Sequence, residues 1–269
     1  MHVERETHAE GLKMNELVKS RLGVNDRLRA QGYALFDVEL LQGGDLWSAG
    51  EDYYMSLDRS RLVADCRHLP EDAGADATYR RRSRFMLLPG RAAPLPFGEN
   101  WDEEASPDFT HEPHITPLTR AQRESFALHR TICMGHRCAD RLGREAPIDV
   151  TVEICRSEPR RYAPVPALPD STGKERPSFR MVVLLSREGV EEGETFVTPP
   201  QVAGVDPRFL DASAIRDRFT LLQPWQGCIL DSRSASLHLS PVRLSADNEH
   251  GHQTLLIIDY TRLTPEKPR

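Results

Sequence analysis

One histidine lies in a segment that could place it at a reaction centre. His238 stands in residues 231–241, which follow an apolar run at residues 221–230 and end in a Ser-Pro turn. An imidazole with an ordinary pKa titrates near neutral pH, so it can exchange a proton with a substrate or bind a metal through a ring nitrogen. We therefore predict that His238 is catalytic, and that it is a metal ligand if a metal is bound. The alternative is a histidine that is only hydrogen-bonded within the fold.

Two further pairs of histidines invite a metal interpretation. His111 and His114 flank a Glu-Pro pair, but proline breaks the helical spacing that a His-Glu-x-x-His site requires. His250 and His252 stand one residue apart, just before the last apolar run. They could serve as replacement metal ligands, or they could be solvated residues of a turn.

A run of arginines lies within residues 79–88, where a basic stretch leads into an apolar one. If this segment is a strand, alternate residues point the same way, so Arg80 and Arg82 share one face. Two guanidinium groups on one face can bind an anionic substrate or an anionic carrier group. The alternative is an ordinary solvated face.

Composition excludes several classes of partner. The net charge of −6 gives no basic surface for nucleic acid, and no apolar run approaches the roughly 20 residues that span a bilayer. The first residues lack the basic-then-apolar order of a signal peptide. Five scattered cysteines are typical of reduced thiols in a cytoplasmic protein rather than a disulfide framework.

The hydrophobic pattern predicts helices first and strands later, which favours a single α+β domain over residues 1–269. Residues 15–147 would supply N-terminal helices, early strands and a long loop at residues 91–117, and residues 148–262 would form a strand-rich core. Helices are predicted at residues 15–31 and 119–142. Strands are predicted at residues 33–40, 79–88, 148–154, 179–185, 221–230 and 254–260.

The order and spacing of several short motifs over residues 148–260 resemble the iron(II)/2-oxoglutarate dioxygenases of the amino-acid hydroxylase type, a group that includes bacterial isoleucine 4-hydroxylases. The motifs are Ser-Arg-Glu-Gly-Val at 186–190, Gly-Glu-Thr-Phe-Val at 193–197, Thr-Leu-Leu-Gln-Pro at 220–224, residues 231–241, and the final Leu-Leu-Ile-Ile-Asp-Tyr. The resemblance implies a double-stranded β-helix, a jelly-roll relative of the cupins, flanked by the N-terminal helices. It also implies iron held by two histidines and a carboxylate.

The resemblance assigns only part of that ligand set to this chain. His238 occupies the position of the second histidine. The first histidine and the carboxylate normally form a His-x-Asp motif shortly before the strand that corresponds to residues 179–185. Here Gly173 and Glu175 occupy those places, or Asp170 after a gap, and no histidine lies between His136 and His238. Glu175 is therefore the candidate carboxylate.

The position of the cosubstrate clamp also differs from the family. An arginine that opens the last strand normally grips the carboxylate of 2-oxoglutarate, whereas Gln253 stands there and cannot form a charge-assisted fork. Arg187 and Arg233 lie on predicted barrel strands or at their edges, and either could replace the clamp. The resemblance also implies that the long loop feeds the substrate pocket, where His111 and His114 would contact the substrate.

These residues lead to three hypotheses. The first is a biosynthetic enzyme of specialised metabolism that acts on an amino-acid-derived substrate, free or carrier-linked, by elimination, cyclisation or isomerisation, without a metal. The second is an iron(II)/2-oxoglutarate-dependent amino-acid hydroxylase with rearranged ligands, such as His238, a carboxylate and His250 or His252. The third is a non-catalytic subunit that binds a ligand or a partner enzyme.

Overall fold

The computed structural model describes residues 21–38, 49–71, 77–91, 93–96, 115–139, 145–161, 163–166 and 177–263. Its helices are α1 (Arg21–Gln31), α2 (Ala49–Asp65), α3 (Arg120–Arg123) and α4 (Phe126–Cys138), with short 3₁₀ turns between other elements. Its strands are β1 (Tyr33–Asp37), β2 (Thr78–Leu87), β3 (Leu95–Pro96), β4 (Ile148–Ser157), β5 (Phe179–Glu188), β6 (Val190–Glu192), β7 (Thr195–Thr198), β8 (Asp217–Phe219), β9 (Gln226–Asp231), β10 (Ser236–Leu239), β11 (Val242–Leu244) and β12 (His252–Arg262). None of the described helices is long and apolar enough to cross a bilayer.

Seven of the described strands form one large antiparallel sheet in the order β1-β9-β5-β12-β4-β2-β3. The longest strands lie at its centre, where β12 pairs with β4 from Gln253 opposite Ser157 to Arg262 opposite Ile148. The pairing of β5 with β12 contains one irregularity, between Thr254 and Leu255. The large sheet therefore combines early and late parts of the chain and gives most of the late strands two neighbours.

Two small sheets, of order β10-β7-β8 and β11-β6, lie against one face of the large sheet. We call that face the inner face. A buried apolar cluster fills the space between the sheets, and its members from the large sheet include Cys155, Leu184 and Leu255. The small sheets contribute Val197 and Phe219, together with the partly buried Leu237 and Leu239. The opposite face of the large sheet packs against the helices, so the fold has three layers.

The predicted helix over residues 119–142 is two helices. Thr119 caps the short helix α3 through a capping box with Gln122, and Ser125 caps α4 by accepting a hydrogen bond from Leu128 N–H at 3.2 Å. Asp58 of α2 strengthens this start, because its carboxylate accepts from both Ser125 and Ala127 at 2.7 Å. The break arises because each of the two caps satisfies its own set of free N–H groups.

The predicted strands are all present, with different ends. The strand predicted at residues 221–230 begins only at Gln226, and the last strand is longer than predicted, covering His252–Arg262. Helix α2, for which the sequence pattern gave no prediction, is followed by a 3₁₀ turn at Cys66–His68. Most of the loop at residues 91–117 and the start of the first predicted helix lie outside the described residues.

Candidate functional site

The inner face of the large sheet carries charged residues beside its apolar cluster. Arg80 pairs with Cys155 across the β2–β4 ladder, and Arg82 pairs with Glu153. Cross-strand partners point to the same face, and Cys155 belongs to the inner cluster. The structure therefore places Arg80 and Arg82 together on the inner face, in the alternate arrangement that the sequence predicted.

Glu153 stands between these two arginines. Its Oε2 accepts hydrogen bonds from Nε and Nη2 of Arg82, both at 2.7 Å, and its Oε1 lies 3.7 Å from Nη1 of Arg80. Glu153 is only 6% exposed. The guanidinium groups of Arg82 and Arg80 thus lie beside this buried carboxylate in place of water.

Two more arginine–carboxylate pairs continue the charged strip towards the far end of the strands. Arg84 bonds to Asp149 through Nε at 3.3 Å and Nη2 at 2.6 Å. Arg180 of β5 bonds to Asp259 of β12 through Nε and Nη2, both at 2.7 Å, in a two-bond fork. Burial lowers the pKa of Arg180, but the charge of Asp259, its hydrogen bonds and the nearby Glu153 raise that pKa by more. We call this set the arginine ladder, which comprises Arg80, Arg82, Arg84, Arg180, Asp149, Glu153 and Asp259.

A separate guanidinium group lies at the other end of the inner face. Arg187 pairs with Gln253 in the β5–β12 ladder, and its Nη1 donates a hydrogen bond to Oε1 of Gln253. Its Nη2 donates to the carbonyl oxygen of Glu192 at 2.6 Å and of Val190 at 3.5 Å. The two residues that the family resemblance singled out, the glutamine and one substitute arginine, are therefore in contact.

The turn that contains Gly193 is shaped around this pair. Gly193 has a φ of +71°, and a Cβ there would lie 2.9 Å from Arg187 Nη1 and 2.9 Å from Gln253 Oε1. Among the described residues, the acceptors of Arg187 are all carbonyl oxygens, and burial lowers the pKa of this guanidinium. A guanidinium has five N–H groups, so these bonds leave two for a ligand.

Arg233 lies far from this position. It is on the turn after β9, where its backbone N–H and its side chain bond to Asp231. Asp231 pairs with Phe179 at the start of β5, eight residues before Arg187, which corresponds to about 25 Å along a strand. Of the two substitutes that the sequence offered for the clamp, only Arg187 is near Gln253.

His238 lies on β10 but faces away from the inner cluster. Its neighbours Leu237 and Leu239 pack against the inner clusters, and successive strand residues point to opposite faces. The ring is 6% exposed, with Nδ1 2.9 Å from the carbonyl oxygen of Val205 and Nε2 2.9 Å from Oγ1 of Thr198. A carbonyl oxygen only accepts, so we assign the proton to Nδ1, and the neutral ring then accepts from Thr198 at Nε2.

The surroundings of His238 predict a dependence of stability on pH. Burial lowers the pKa of His238 by more than its bond to Val205 raises it. The unfolded chain therefore binds the proton more readily, so the free energy of unfolding falls as the pH drops below about 6.5. We expect His238→Gln to show a shallower loss than the wild type in urea titrations between pH 7 and pH 5. Equal slopes would contradict this assignment.

His252 lies on the helix-side face, because it is adjacent to the inward-facing Gln253 on the same strand. Its Nε2 is 3.1 Å from Oγ of Ser186. His250 is exposed in the preceding turn. The structure therefore brings neither histidine to His238, and each of the three has different surroundings.

The described residues do not fit an iron centre. They contain no group of three or more histidine, cysteine, aspartate or glutamate side chains arranged to hold a metal. Both nitrogens of His238 are engaged by Val205 and Thr198. Glu175, Asp170, His111 and His114 lie outside the described residues, and their assignments stay predictions.

Sequence reasoning did not single out Glu153, Arg180 and Asp259. A signal for Glu153 was present, because residues 148–154 alternate apolar and polar, which places it on one face with Asp149. The sequence does not show that β4 pairs with β2. This pairing places the acidic face beside the arginines of the neighbouring strand.

The chain matches no protein-family model and no curated protein sequence. Its structure is similar to that of IDO from Bacillus thuringiensis, with 10% identity, a TM-score of 0.68, and coverage of 91% of this chain and 100% of that one. It is also similar to the Fe(II)/α-ketoglutarate-dependent dioxygenase TqaL (13% identity, TM-score 0.66, coverage 91% and 88%). A bsmA homologue from Methylobium petroleophilum PM1 has 21% identity, a TM-score of 0.59, and coverage of 94% and 98%.

These likenesses establish the fold. At such low identity they carry no substrate or reaction to this chain. The mixed architecture of helices and antiparallel sheets is that of structures that include an Fe(II)/α-ketoglutarate-dependent dioxygenase and a 2OG-Fe(II) oxygenase family member from Burkholderia pseudomallei. The dioxygenase-like fold that the sequence motifs implied is confirmed at this level.

Proposed function

We propose that this chain is a small-molecule enzyme that uses the dioxygenase fold, with its large and small sheets forming a double-stranded β-helix, to bind an acidic, amino-acid-derived substrate. The observation that supports this proposal is the arginine ladder on the inner face. A sheet face that only packed against another sheet would be apolar along its length. Here four strands bring guanidinium and carboxylate groups to that face instead.

The substrate would bind through its negative charge. Arg80 and Arg82 lie on β2 beside the inner cluster, and Arg187 lies on β5, with β12 and β4 between these two strands. The whole chain carries a net charge of −6, so these cations provide a local attraction that the rest of the surface does not. A free amino acid derivative and one linked to a carrier through another group would present the same acidic group.

The chemistry that we propose is non-redox, as an elimination, a cyclisation or an isomerisation. Such reactions need a group that takes and returns a proton, and His238 and Glu175 are the candidates. The lowered pKa of His238 keeps its ring neutral at pH 7, which suits a general base. The ring faces away from the inner face, so to reach a substrate there it would have to leave Val205 and Thr198 and turn to the other side of β10.

A binding experiment tests this proposal. Isothermal titration with a panel of amino acids and their acidic derivatives should find a ligand whose affinity falls about 10- to 100-fold in Arg82→Met, because a hydrogen-bonded charge contact is lost. Arg81→Met is the matched control. Arg81 is the next residue on the same strand, points to the other face and bonds to the carbonyl oxygen of Pro117 at 2.6 Å.

Titration with iron(II) and 2-oxoglutarate tests the non-redox part separately. We expect substrate turnover, followed by mass spectrometry, in the presence of a chelator. Tight binding of both iron(II) and 2-oxoglutarate, with turnover only when both are present, would overturn the non-redox assignment and leave the substrate class intact.

One observation favours a second candidate, an iron(II)/2-oxoglutarate-dependent hydroxylase of the amino-acid hydroxylase type with rearranged ligands. Arg187 lies directly beside Gln253, the position at which the family resemblance implies a cosubstrate clamp. Arg187 could bind the cosubstrate carboxylate from the neighbouring strand. Oxygen uptake with succinate formation on a panel of free amino acids would support this candidate, and their absence with iron(II) supplied would count against it.

A further inference from the structure

A second group of arginines lines a cleft on the outside of the fold. The cleft has a volume of about 320 Å³ and lies between the segment that contains Arg160 and Val165 and the β6–β11 sheet with the turn that follows it. Small-molecule sites begin at about this volume, so the cleft fits a small metabolite. The polar residues that line it are Arg160, Arg161, Glu191, Arg243, Ser245 and Asn248.

Backbone pairing brings the two arginine-bearing segments together. Val165 N–H donates to the carbonyl oxygen of Val242 at 3.0 Å, and Val242 N–H donates back to Val165 at 2.9 Å. A turn precedes this bridge, in which Ala163 N–H donates to the carbonyl oxygen of Arg160 at 3.0 Å. These bonds hold Arg160 near Arg243 of β11, although the two segments are far apart in the sequence.

The cleft lies on the outer side of the β6–β11 sheet. Val242 is buried and faces the space in front of Gly193, which Arg187 also borders. Its neighbour Arg243 therefore points to the opposite side, and Glu191 shares that side as the cross-strand partner of Arg243. The two-stranded sheet thus separates the cleft from Arg187.

The charges of the cleft favour an anion. Arg160, Arg161 and Arg243 bring three guanidinium groups to its lining. Nε of Arg243 bonds to Oε1 of Glu192 at 2.7 Å, but a guanidinium has five N–H groups, so this bond does not exhaust its donors. Guanidinium groups bind phosphate through paired N–H bonds, and a phosphate can accept such bonds from more than one arginine. The cleft therefore suits a phosphate group.

Glu191 narrows the ligand further. Among the described residues that line the cleft, it is the one carboxylate. Its charge would repel a bare phosphate, but it can accept hydrogen bonds from hydroxyl groups attached near that phosphate. Ser245 and Asn248 line the same cleft and can donate to such hydroxyl groups or accept from them. The lining therefore fits a small molecule that carries both a phosphate and hydroxyl groups.

We propose that this cleft is a binding site for a phosphate ester with hydroxyl groups on its carbon skeleton, the chemistry of a sugar phosphate. The arginines bind the phosphate, and Glu191 binds the hydroxyl groups. The site is separate from the inner face, so the proposal does not depend on the acidic substrate suggested above.

Titration calorimetry of the full chain at about 0.15 M salt tests the proposal, because attraction between distant exposed charges is largely screened there. We expect ribose 5-phosphate to bind at least about 10-fold more tightly than ribose, which lacks the charged group. It should also bind at least about 3-fold more tightly than inorganic phosphate, which lacks the hydroxyl groups. Adenosine 5′-monophosphate identifies the source of the group: tighter binding than ribose 5-phosphate assigns the cleft to nucleotides, and weaker binding assigns it to free sugar phosphates.

Variants of the lining assign the binding to named side chains. Arg160→Gln and Arg243→Gln should each weaken ribose 5-phosphate about 10-fold, since each removes a charge-assisted contact. Arg218→Gln is the matched control, because Arg218 is also exposed and paired with a glutamate, Glu194 at 3.4 Å, but lies on β8 outside the cleft.

Glu191→Gln should act in opposite directions on two ligands. Inorganic phosphate should bind about 3-fold more tightly, because a repelling charge is removed, whereas the preference for ribose 5-phosphate over inorganic phosphate should shrink. A purely structural role for Glu191 would weaken both ligands together. Thermal unfolding confirms that each variant is folded.

Three results would overturn the proposal. The first is no binding of ribose 5-phosphate, or binding no tighter than that of ribose. The second is an equal loss of affinity in Arg218→Gln and in the arginine variants of the cleft, which would assign the effect to overall charge. The third is a loss of both ligands in Glu191→Gln, which would remove the hydroxyl contact and with it the assignment to a sugar phosphate.

Discussion

Exchanging Arg187 and Gln253 for each other is expected to preserve the carboxylate binding that either single change destroys. In Arg187→Gln, the cation is lost from the inner face, and we expect small carboxylates from the panel to bind about 10- to 100-fold more weakly. In Gln253→Arg, two guanidinium groups stand at paired positions and repel each other. The double variant restores one cation and one amide, now on the opposite strands.

The reason for this expectation is the geometry of the pair. Arg187 and Gln253 face each other across β5 and β12, share one hydrogen bond, and enclose the same space in front of Gly193. If a carboxylate binds there, its affinity depends on one guanidinium group in that space, which can come from either strand. Calorimetry should therefore place the affinity of the double variant within about 3-fold of the wild type.

Two results would contradict this account. If the double variant binds as weakly as Arg187→Gln, then Arg187 acts by holding the turn through the carbonyl oxygens of Val190 and Glu192. Thermal unfolding of each variant measures that structural part directly. Arg233→Gln is the control for position, because Arg233 lies at the other end of β5 and should leave binding unchanged.

Replacing Gly135 with alanine is expected to cost about 2–3 kcal/mol of stability, because overpacking a filled core has costs of this size. An added Cβ would clash with the hydroxyl of Tyr260, and would lie 2.9 Å from its Cζ and 3.1 Å from Met181. Tyr260 is fully buried and donates a hydrogen bond to the carbonyl oxygen of Ile132 at 2.9 Å, so it cannot retreat without losing that bond.

Whether Gly135→Ala stabilises or destabilises the protein distinguishes a site with free space from a filled one. In a helix, alanine is intrinsically more favourable than glycine by about 1 kcal/mol, so a site with free space would become more stable. Urea unfolding of Gly135→Ala, Tyr260→Phe and the double variant forms a cycle that isolates the contact. We expect the double variant to be more stable than the sum of the single effects predicts, and simple additivity would show that the helix and strand are not in contact there.

Much of the secondary structure could be predicted because it follows from the pattern of apolar and polar residues within each segment. The alternation in residues 148–154 gave β4, and the apolar run before Tyr260 gave β12. The helix prediction at residues 119–142 was right in type and wrong in continuity, since a second cap at Ser125 restarts it. Short edge strands such as β8 and β11 have too few residues to show a period.

The candidate site was harder to predict than the secondary structure, because it depends less on local sequence patterns. The alternation of Arg80 and Arg82 predicted that they share a face, and the position of Gln253 at the start of the last strand drew attention to a substitute cation. Neither observation identified a partner. Only the strand pairing shows that Glu153 lies opposite Arg82 and that Arg187 lies opposite Gln253.

By itself, the sequence determined the residue types: the alternating strand, the arginine run, a glutamine where the dioxygenases that it resembles have an arginine, and a histidine before a Ser-Pro turn. The tertiary structure decided which of these meet. A shift of one residue turns every side chain of a strand to the opposite face, so His238 faces Val205 while Leu237 and Leu239 face the core. Strand pairing likewise set Arg187 beside Gln253 and Glu153 between two arginines, because contacts between distant segments follow from sheet order rather than from local spacing.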